Sequence, residues 1–326
     1  MEVSKETLER KARDLGFEAR YLDKVNRLLT ILRLIMEYEG LSKDLVLKGG
    51  TAINLFHLQL PRLSVDIDLN YVGELDVERM TENRQRVIEA LESIFKRADL
   101  SINNEPNYDE HAGLTWELSY HSPIVGRDNV KVDLNFLMRS PIFPVKDKGL
   151  TELSDFSTLQ FRTHDLHELA GGKLRALFQR SASRDLYDVY RLLQDADFKK
   201  EWLRIAFVVY GAAAKEDWRG ISLDDIGYEL QELKDDLEPV LRKQEREGID
   251  NFQIWAEDLV GSCRKRLHMI LPFTDKEIEF LDGVIDKGEI QPELLTEDEE
   301  IQKAIRQNPG LQWKIRNVRE HFGLDQ

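Results

Sequence analysis

The chain has 326 residues, 41% of them apolar, 33% charged and 9% aromatic, which excludes a disordered chain and leaves room for two ordinary domains. With 46 Lys and Arg against 61 Asp and Glu the formal charge is −15, which argues against a generic DNA-coating role. The longest uninterrupted apolar stretch, Ile205 to Ala214, falls well short of the roughly 20 residues a bilayer span needs. One cysteine, Cys263, permits no internal disulfide, and MEVSKETLERKARDLG is charged where a signal peptide would be apolar, so a cytoplasmic protein with no membrane partner is expected.

From Lys5 to Tyr38 apolar residues recur at helical spacing and predict one or two helices. Leu45 to Leu47 reads as a short strand, followed by Lys48, the pair Gly49 and Gly50, and Thr51 opening a helix to about Gln59. In SVDIDLNY, apolar Val65, Ile67, Leu69 and Tyr71 alternate with Ser64, Asp66, Asp68 and Asn70, the pattern of a strand with one polar face. A helix from Val77 to Ala98 follows. Leu114 to Tyr120 and Val130 to Phe136 then form a hairpin around a turn holding Pro123, Gly126, Asp128 and Asn129. Beyond about residue 160 only helical periodicity persists, through LHELAGGKLRALFQR, RDLYDVYRLLQD, the 226 to 245 stretch and Phe252 to Met269. The change of period divides the chain into a first domain over 1–160 and a helical domain over 161–326.

Asp66 and Asp68, two apart on a strand, stand on one face about 6 to 7 Å apart at Cα. At an effective dielectric of about 20 their repulsion is roughly 3 kcal/mol, so a partly buried pair takes up a proton or holds a cation. Magnesium suits the pair because it takes oxygen ligands from one or two carboxylates together with water and phosphates. VKVDLNF repeats the alternation and offers Asp133 as a third carboxylate if its strand lies beside SVDIDLNY. A glycine pair before a helix lets backbone come close to a phosphate, and Gly49, Gly50 and Thr51 supply it. A metal-binding edge beside a phosphate-binding turn is equipment for nucleotidyl transfer from a nucleoside triphosphate. Each part alone also has a plain reading, as a solvated polar edge or an ordinary turn.

The run KGGTAINLFHLQLPRLSVDIDLNY resembles the signature of the DNA polymerase β-like nucleotidyltransferases, in which GG and Ser or Thr precede a DxD. GGKLRALFQRSASRDLYDVYRLL narrows the resemblance to the AbiEii/AbiGii toxin family of type IV toxin-antitoxin and abortive-infection systems. The resemblance implies an α/β (α+β) fold with a small mixed sheet, and a C-terminal helical domain completing the nucleotide site. It implies that Asp66, Asp68 and Asp133 bind Mg2+, two ions with Mn2+ as substitute, and that Lys48, Gly49, Gly50 and Thr51 hold the triphosphate. Lys173 would be a phosphate-binding lysine and a catalytic residue, with Arg180 beside it and either Asp185 or Asp188 as the family's later acid. It further implies a growth-inhibiting toxin that adds nucleotides to the 3′ end of tRNA with pyrophosphate release, and a cognate antitoxin of the DNA-binding repressor type. A transferase acting on a protein or small molecule, and a non-catalytic nucleotide-binding partner, remain as alternatives.

From spacing alone, one continuous helix would align Lys173, Arg180, Arg184 and Asp188, but Ser181 and Ser183 interrupt it and Ser183 is a candidate N-cap. His164 and His167 are a weak transition-metal candidate. Arg264, Lys265 and Arg266, and Lys314, Arg316 and Arg319 near Trp313, are either an RNA-contacting surface or a solvated helix face, and the second is preferred. The acidic stretches 224–238 and 293–300 read as solvated surface.

Overall fold

The structure is a computed structural model that describes residues 3–103, 107–109, 113–153, 157–180 and 182–323. It contains two compact units: residues 1–139, 145–163 and 234–251 form the first, and residues 140–144, 164–233 and 252–326 the second.

The first unit opens with two helices, α1 (Lys5–Leu15) and α2 (Ala19–Glu37), within the single periodic stretch. Gly16 separates them at φ 75°, and its amide reaches back to the carbonyls of Ala12 and Arg13, a left-handed cap that a glycine adopts without a steric penalty. The strands are β1 (Leu45–Lys48), β2 (Asp66–Tyr71), β3 (Ser101–Ile102), β4 (Asn107–Asp109), β5 (Gly113–Ser122), β6 (Gly126–Asn135), β7 (Lys146–Gly149) and β8 (Gln160–Thr163). They form one mixed sheet in the order β3-β5-β6-β2-β1-β8-β7, with β4 also on β5. This α/β architecture with a mixed sheet agrees with the expectation, but the sheet is larger than four predicted strands allow. The short strands β3, β7 and β8 carry too few residues to alternate visibly, and their pairing comes from neighbours distant in sequence. The hairpin turn is also tighter than predicted, since Asp128 and Asn129 lie within β6, paired with Tyr120 and Ser119.

On one sheet face Trp116, Val132 and Ile67 are register neighbours, as are Leu114, Leu134, Leu69 and Leu47. All of these are buried. Helix α4 (Val77–Arg97), capped at its start by the Asp76 side chain, covers this face, and Phe95 packs edge-on against Trp116 with centroids 5.5 Å apart. Between β1 and β2 the chain turns through a helical start, α3 (Gly49–Thr51), that continues as a π-helical turn over Ala52–His57.

Residues 234–251, part of the helical half by period, belong to the first unit. The amide of Leu63 donates to the carbonyl of Val240 (2.9 Å), that of Lys243 to Gly16 (2.6 Å), and Arg242 donates to the carbonyl of Leu60 (3.1 Å). The stretch from 226 to 245 is therefore no single helix. It breaks into short turns, with Pro239 in a 3-10 turn over Glu238–Val240.

The second unit is helical. Helices α5 (Leu166–Arg180), α6 (Ser183–Asp195) and α7 (Lys200–Ala212) precede further helices at Phe252–Leu267, Asp275–Asp282, Glu299–Arg306 and Pro309–Phe322. Helices α5 and α7 cross closely at Gly171, where a β-carbon would come within 2.7 Å of Ala206 Cβ. Ser181 lies outside the described residues. Ser183 is the first residue of α6, whose N-cap is Ala182, so Ser183 is not the cap. Its hydroxyl instead donates to the carbonyl of Glu229 (3.2 Å).

Candidate active site

The polar face of the first unit's sheet collects the predicted carboxylates. Strands β2 and β6 run parallel, pairing Asp66 with Lys131 and Asp68 with Asp133. Strand β1 adds Lys48 beside Asp68, and β5 adds Thr115 beside Asp133. Directly paired residues share a sheet face, so Lys48, Asp68, Asp133 and Thr115 form one row across four strands. Adjacent strands lie about 4.8 Å apart, so Asp68 and Asp133 are like charges on nearest neighbours, an arrangement that repels by a few kcal/mol at intermediate dielectric. Asp66, Asp68 and Asp133 are each partly exposed, which leaves the row open to solvent.

Asp133 is held at both oxygens. The Thr115 hydroxyl donates to Oδ1, and the Lys131 ammonium lies 2.7 Å from Oδ2. Burial acts against the Lys131 charge, but its hydrogen bond to Asp133 and the attraction of Asp133, Asp66 and Asp68 outweigh this, and its pKa lies above the ordinary lysine value. Sequence reasoning did not single out Thr115. The alternation of LTWELSY places it with Glu117 on one face, and only the pairing register brings that face to Asp133.

The glycine turn meets this row directly. Gly49 sits at φ 68°, and a β-carbon there would fall 2.0 Å from Asp68 Oδ2, so this position requires glycine for both its backbone and its neighbour. Gly50 and Thr51 are buried. The Thr51 hydroxyl takes no outward position: it bonds Ser64 Oγ (3.0 Å) and the carbonyl of Asp66, fastening the turn to the start of β2. What the turn offers outward is therefore Lys48 and Gly49, with Thr51 as its anchor.

In the second unit Lys173 reaches from α5 to α6. Its ammonium lies 2.5 Å from Asp185 Oδ1 and 2.9 Å from Asp188 Oδ2, and Arg180 Nε lies 2.6 Å from Asp185 Oδ2. Both aspartates are buried, and the Lys173 ammonium contacts both. Burial raises the Asp185 pKa, but Lys173 and Arg180 outweigh that and hold it below the ordinary carboxylate value.

The remaining candidates are structural. His167 bonds Asp165 (2.7 Å) through Nδ1 and accepts the Lys199 amide (3.0 Å) at Nε2. His164 Nδ1 lies 3.4 Å from Glu168, which also accepts the amides of Ile142 and Phe143. Among the basic residues near the C-terminal end, Arg264 donates to the carbonyl of Ile226, Arg266 to Leu193, Lys314 to Ala214 and Arg319 to Gly288. These four close backbone carbonyls and are not a merely solvated face.

The profile of the AbiEii nucleotidyl transferase toxin family, type IV toxin-antitoxin system, matches residues 31–260, which include both the carboxylate strands and the Lys173 network. The chain is a member of the AbiEii family. Its fold is similar to that of MenT4, a nucleotidyltransferase toxin from Mycobacterium tuberculosis, with a TM-score of 0.62 at 14% identity over 94% of this chain and 99% of that one. No curated protein sequence matches significantly. As an AbiEii nucleotidyltransferase toxin it takes a nucleoside triphosphate as substrate and has an antitoxin as partner. Among the described residues no helix is long and apolar enough to cross a membrane.

By donor chemistry Asp66, Asp68 and Asp133 suit a hard divalent cation, three oxygen-bearing side chains on one open sheet face. As placed they do not enclose a single ion: among the described residues no three His, Cys, Asp or Glu side chains are gathered for one. The Lys131 ammonium contacts Asp133 at Oδ2.

Proposed function

We propose that this AbiEii toxin transfers a nucleotide from a nucleoside triphosphate to the 3′ end of tRNA and releases pyrophosphate. The observation that carries the nucleotidyl-transfer part of this reading is the pairing of Asp68 with Asp133 in a row that the glycine turn touches at Asp68. Asp66, Asp68 and Asp133 would hold Mg2+, two ions with Mn2+ as substitute, which when bound neutralises and aligns the phosphates. Gly49 leaves the backbone bare at the turn, with buried Gly50 and Thr51 behind it, so that phosphate oxygens approach without a side chain between them. Lys48, in the same row, supplies positive charge against those oxygens. Asp133, oriented by Thr115, takes the proton of the attacking hydroxyl. In the helical unit Lys173 is the phosphate-binding lysine, with Asp185 and Asp188 setting where its ammonium stands.

The test is to incubate the protein with each labelled nucleoside triphosphate and total RNA. Label is expected in the tRNA fraction, sensitive to ribonuclease and resistant to protease, and absent with Asp68→Asn. Label that follows protein or small molecules would overturn the tRNA acceptor, and label undiminished by Asp68→Asn would overturn the site.

A further inference from the structure

Lys131 lies on the carboxylate face and has no part in the transfer described above. Its ammonium bonds Asp133 Oδ2 at 2.7 Å, and the register sets it beside Asp66. Lys131 thus brings positive charge to carboxylates that repel across adjacent strands. The two contacts on Asp133 are divided: Thr115 bonds Oδ1 while Lys131 bonds Oδ2. Removing the ammonium would leave the carboxylate oriented by Thr115 with Oδ2 released. The Lys131 side chain is 45% exposed, so its ammonium has water to move into.

We propose that Lys131 is a displaceable counter-ion, occupying Asp133 in the metal-free protein and competing with the divalent cation for that carboxylate. Lys131 is then a positioning residue that sets how much metal the site needs. Without metal it relieves the repulsion among Asp66, Asp68 and Asp133. With metal it must yield, and part of the binding energy goes to breaking its bond to Asp133. The inference rests on the reading of those three carboxylates as the metal site.

The test is calorimetric titration of the full chain with Mn2+, without nucleotide, for the wild type and for Lys131→Met, Lys131→Gln, Lys131→Arg and Asp68→Asn. Lys131→Met and Lys131→Gln are expected to bind Mn2+ about tenfold more tightly, the size of one charge-assisted hydrogen bond. Lys131→Arg, which keeps the charge, should stay near the wild type. In chelator the two neutral variants should melt below the wild type, and their rise in Tm on adding Mn2+ should be larger. A purely structural lysine would change the melting but not the affinity. Unchanged or weaker Mn2+ binding in both neutral variants, while Asp68→Asn still abolishes binding, would overturn the role of Lys131 alone. Mn2+ binding that Asp68→Asn leaves intact would overturn the metal site and this inference with it.

Discussion

Gly49 and Asp68 are in such close approach that a single methyl group on the glycine would fall 2.0 Å from the carboxylate oxygen. The turn and the strand that bear them are separated by the whole π-helical segment and the Pro61 loop, yet they meet atom against atom. The Thr51 hydroxyl on the carbonyl of Asp66 holds the two in place.

Gly49→Ala therefore carries two penalties, a left-handed φ and a displaced Asp68. A destabilisation of about 1–3 kcal/mol is expected. Urea denaturation measures it. Nucleotidyl transfer should fall by far more than the folded fraction does, because the carboxylate itself is moved. A variant with full activity would show that Asp68 has room to spare.

Asp68→Asn and Asp133→Asn should separate activity from stability. Either change is expected to lower transfer at least a hundredfold, as for removal of a group that acts on the transition state. Asp68→Asn should not destabilise the metal-free protein, because like charges on directly paired strand positions oppose folding, whereas Asp133→Asn also loses its part-exposed ion pair with Lys131, a cost of under about 1 kcal/mol. For Asp68→Asn a denaturant midpoint in chelator at or above that of the wild type is the expected result. A midpoint well below it would mean that this carboxylate is needed for the fold.

Lys173 answers two buried aspartates, and removing it takes away the buried cation that they share. Lys173→Met is expected to cost about 3–5 kcal/mol, the range for breaking a buried ion pair from one side. Arg180, whose side chain is 64% exposed, contributes far less: Arg180→Met should cost under about 1 kcal/mol. The difference between the two urea midpoints checks this, and equal losses would contradict the burial argument.

Acid stability depends on Asp128. It lies 2.7 Å from Arg20 and 2.7 Å from Lys24. Burial raises its pKa, but hydrogen bonds from Arg20, Lys24 and the Asn129 amide prevail and lower it to about 2. The folded carboxyl thus titrates below the unfolded one, so its stabilisation is complete above about pH 4 and is lost as the pH falls towards about 2. The stability gap between wild type and Asp128→Asn, measured by denaturation at a series of pH values, should be constant near neutrality and shrink through that window. A gap that does not vary with pH would remove the linkage.

Local pattern was enough for much of this protein. The alternation in SVDIDLNY and VKVDLNF, the glycine pair before a helical run and the helical period after residue 160 are short-range signals, and each depends on the geometry of one element. They located the carboxylates, the turn and the Lys173 segment, and with the motif resemblance they reached the nucleotidyltransferase toxin family. The pairing of Asp68 with Asp133, the Lys131 and Thr115 contacts on Asp133 and the inward Thr51 hydroxyl were decided only by tertiary structure. So were the joint hold of Asp185 and Asp188 on Lys173 and the return of residues 234–251 to the first unit. Strand register and helix packing set those contacts, and both depend on residues far apart in sequence, which no period within a single element encodes.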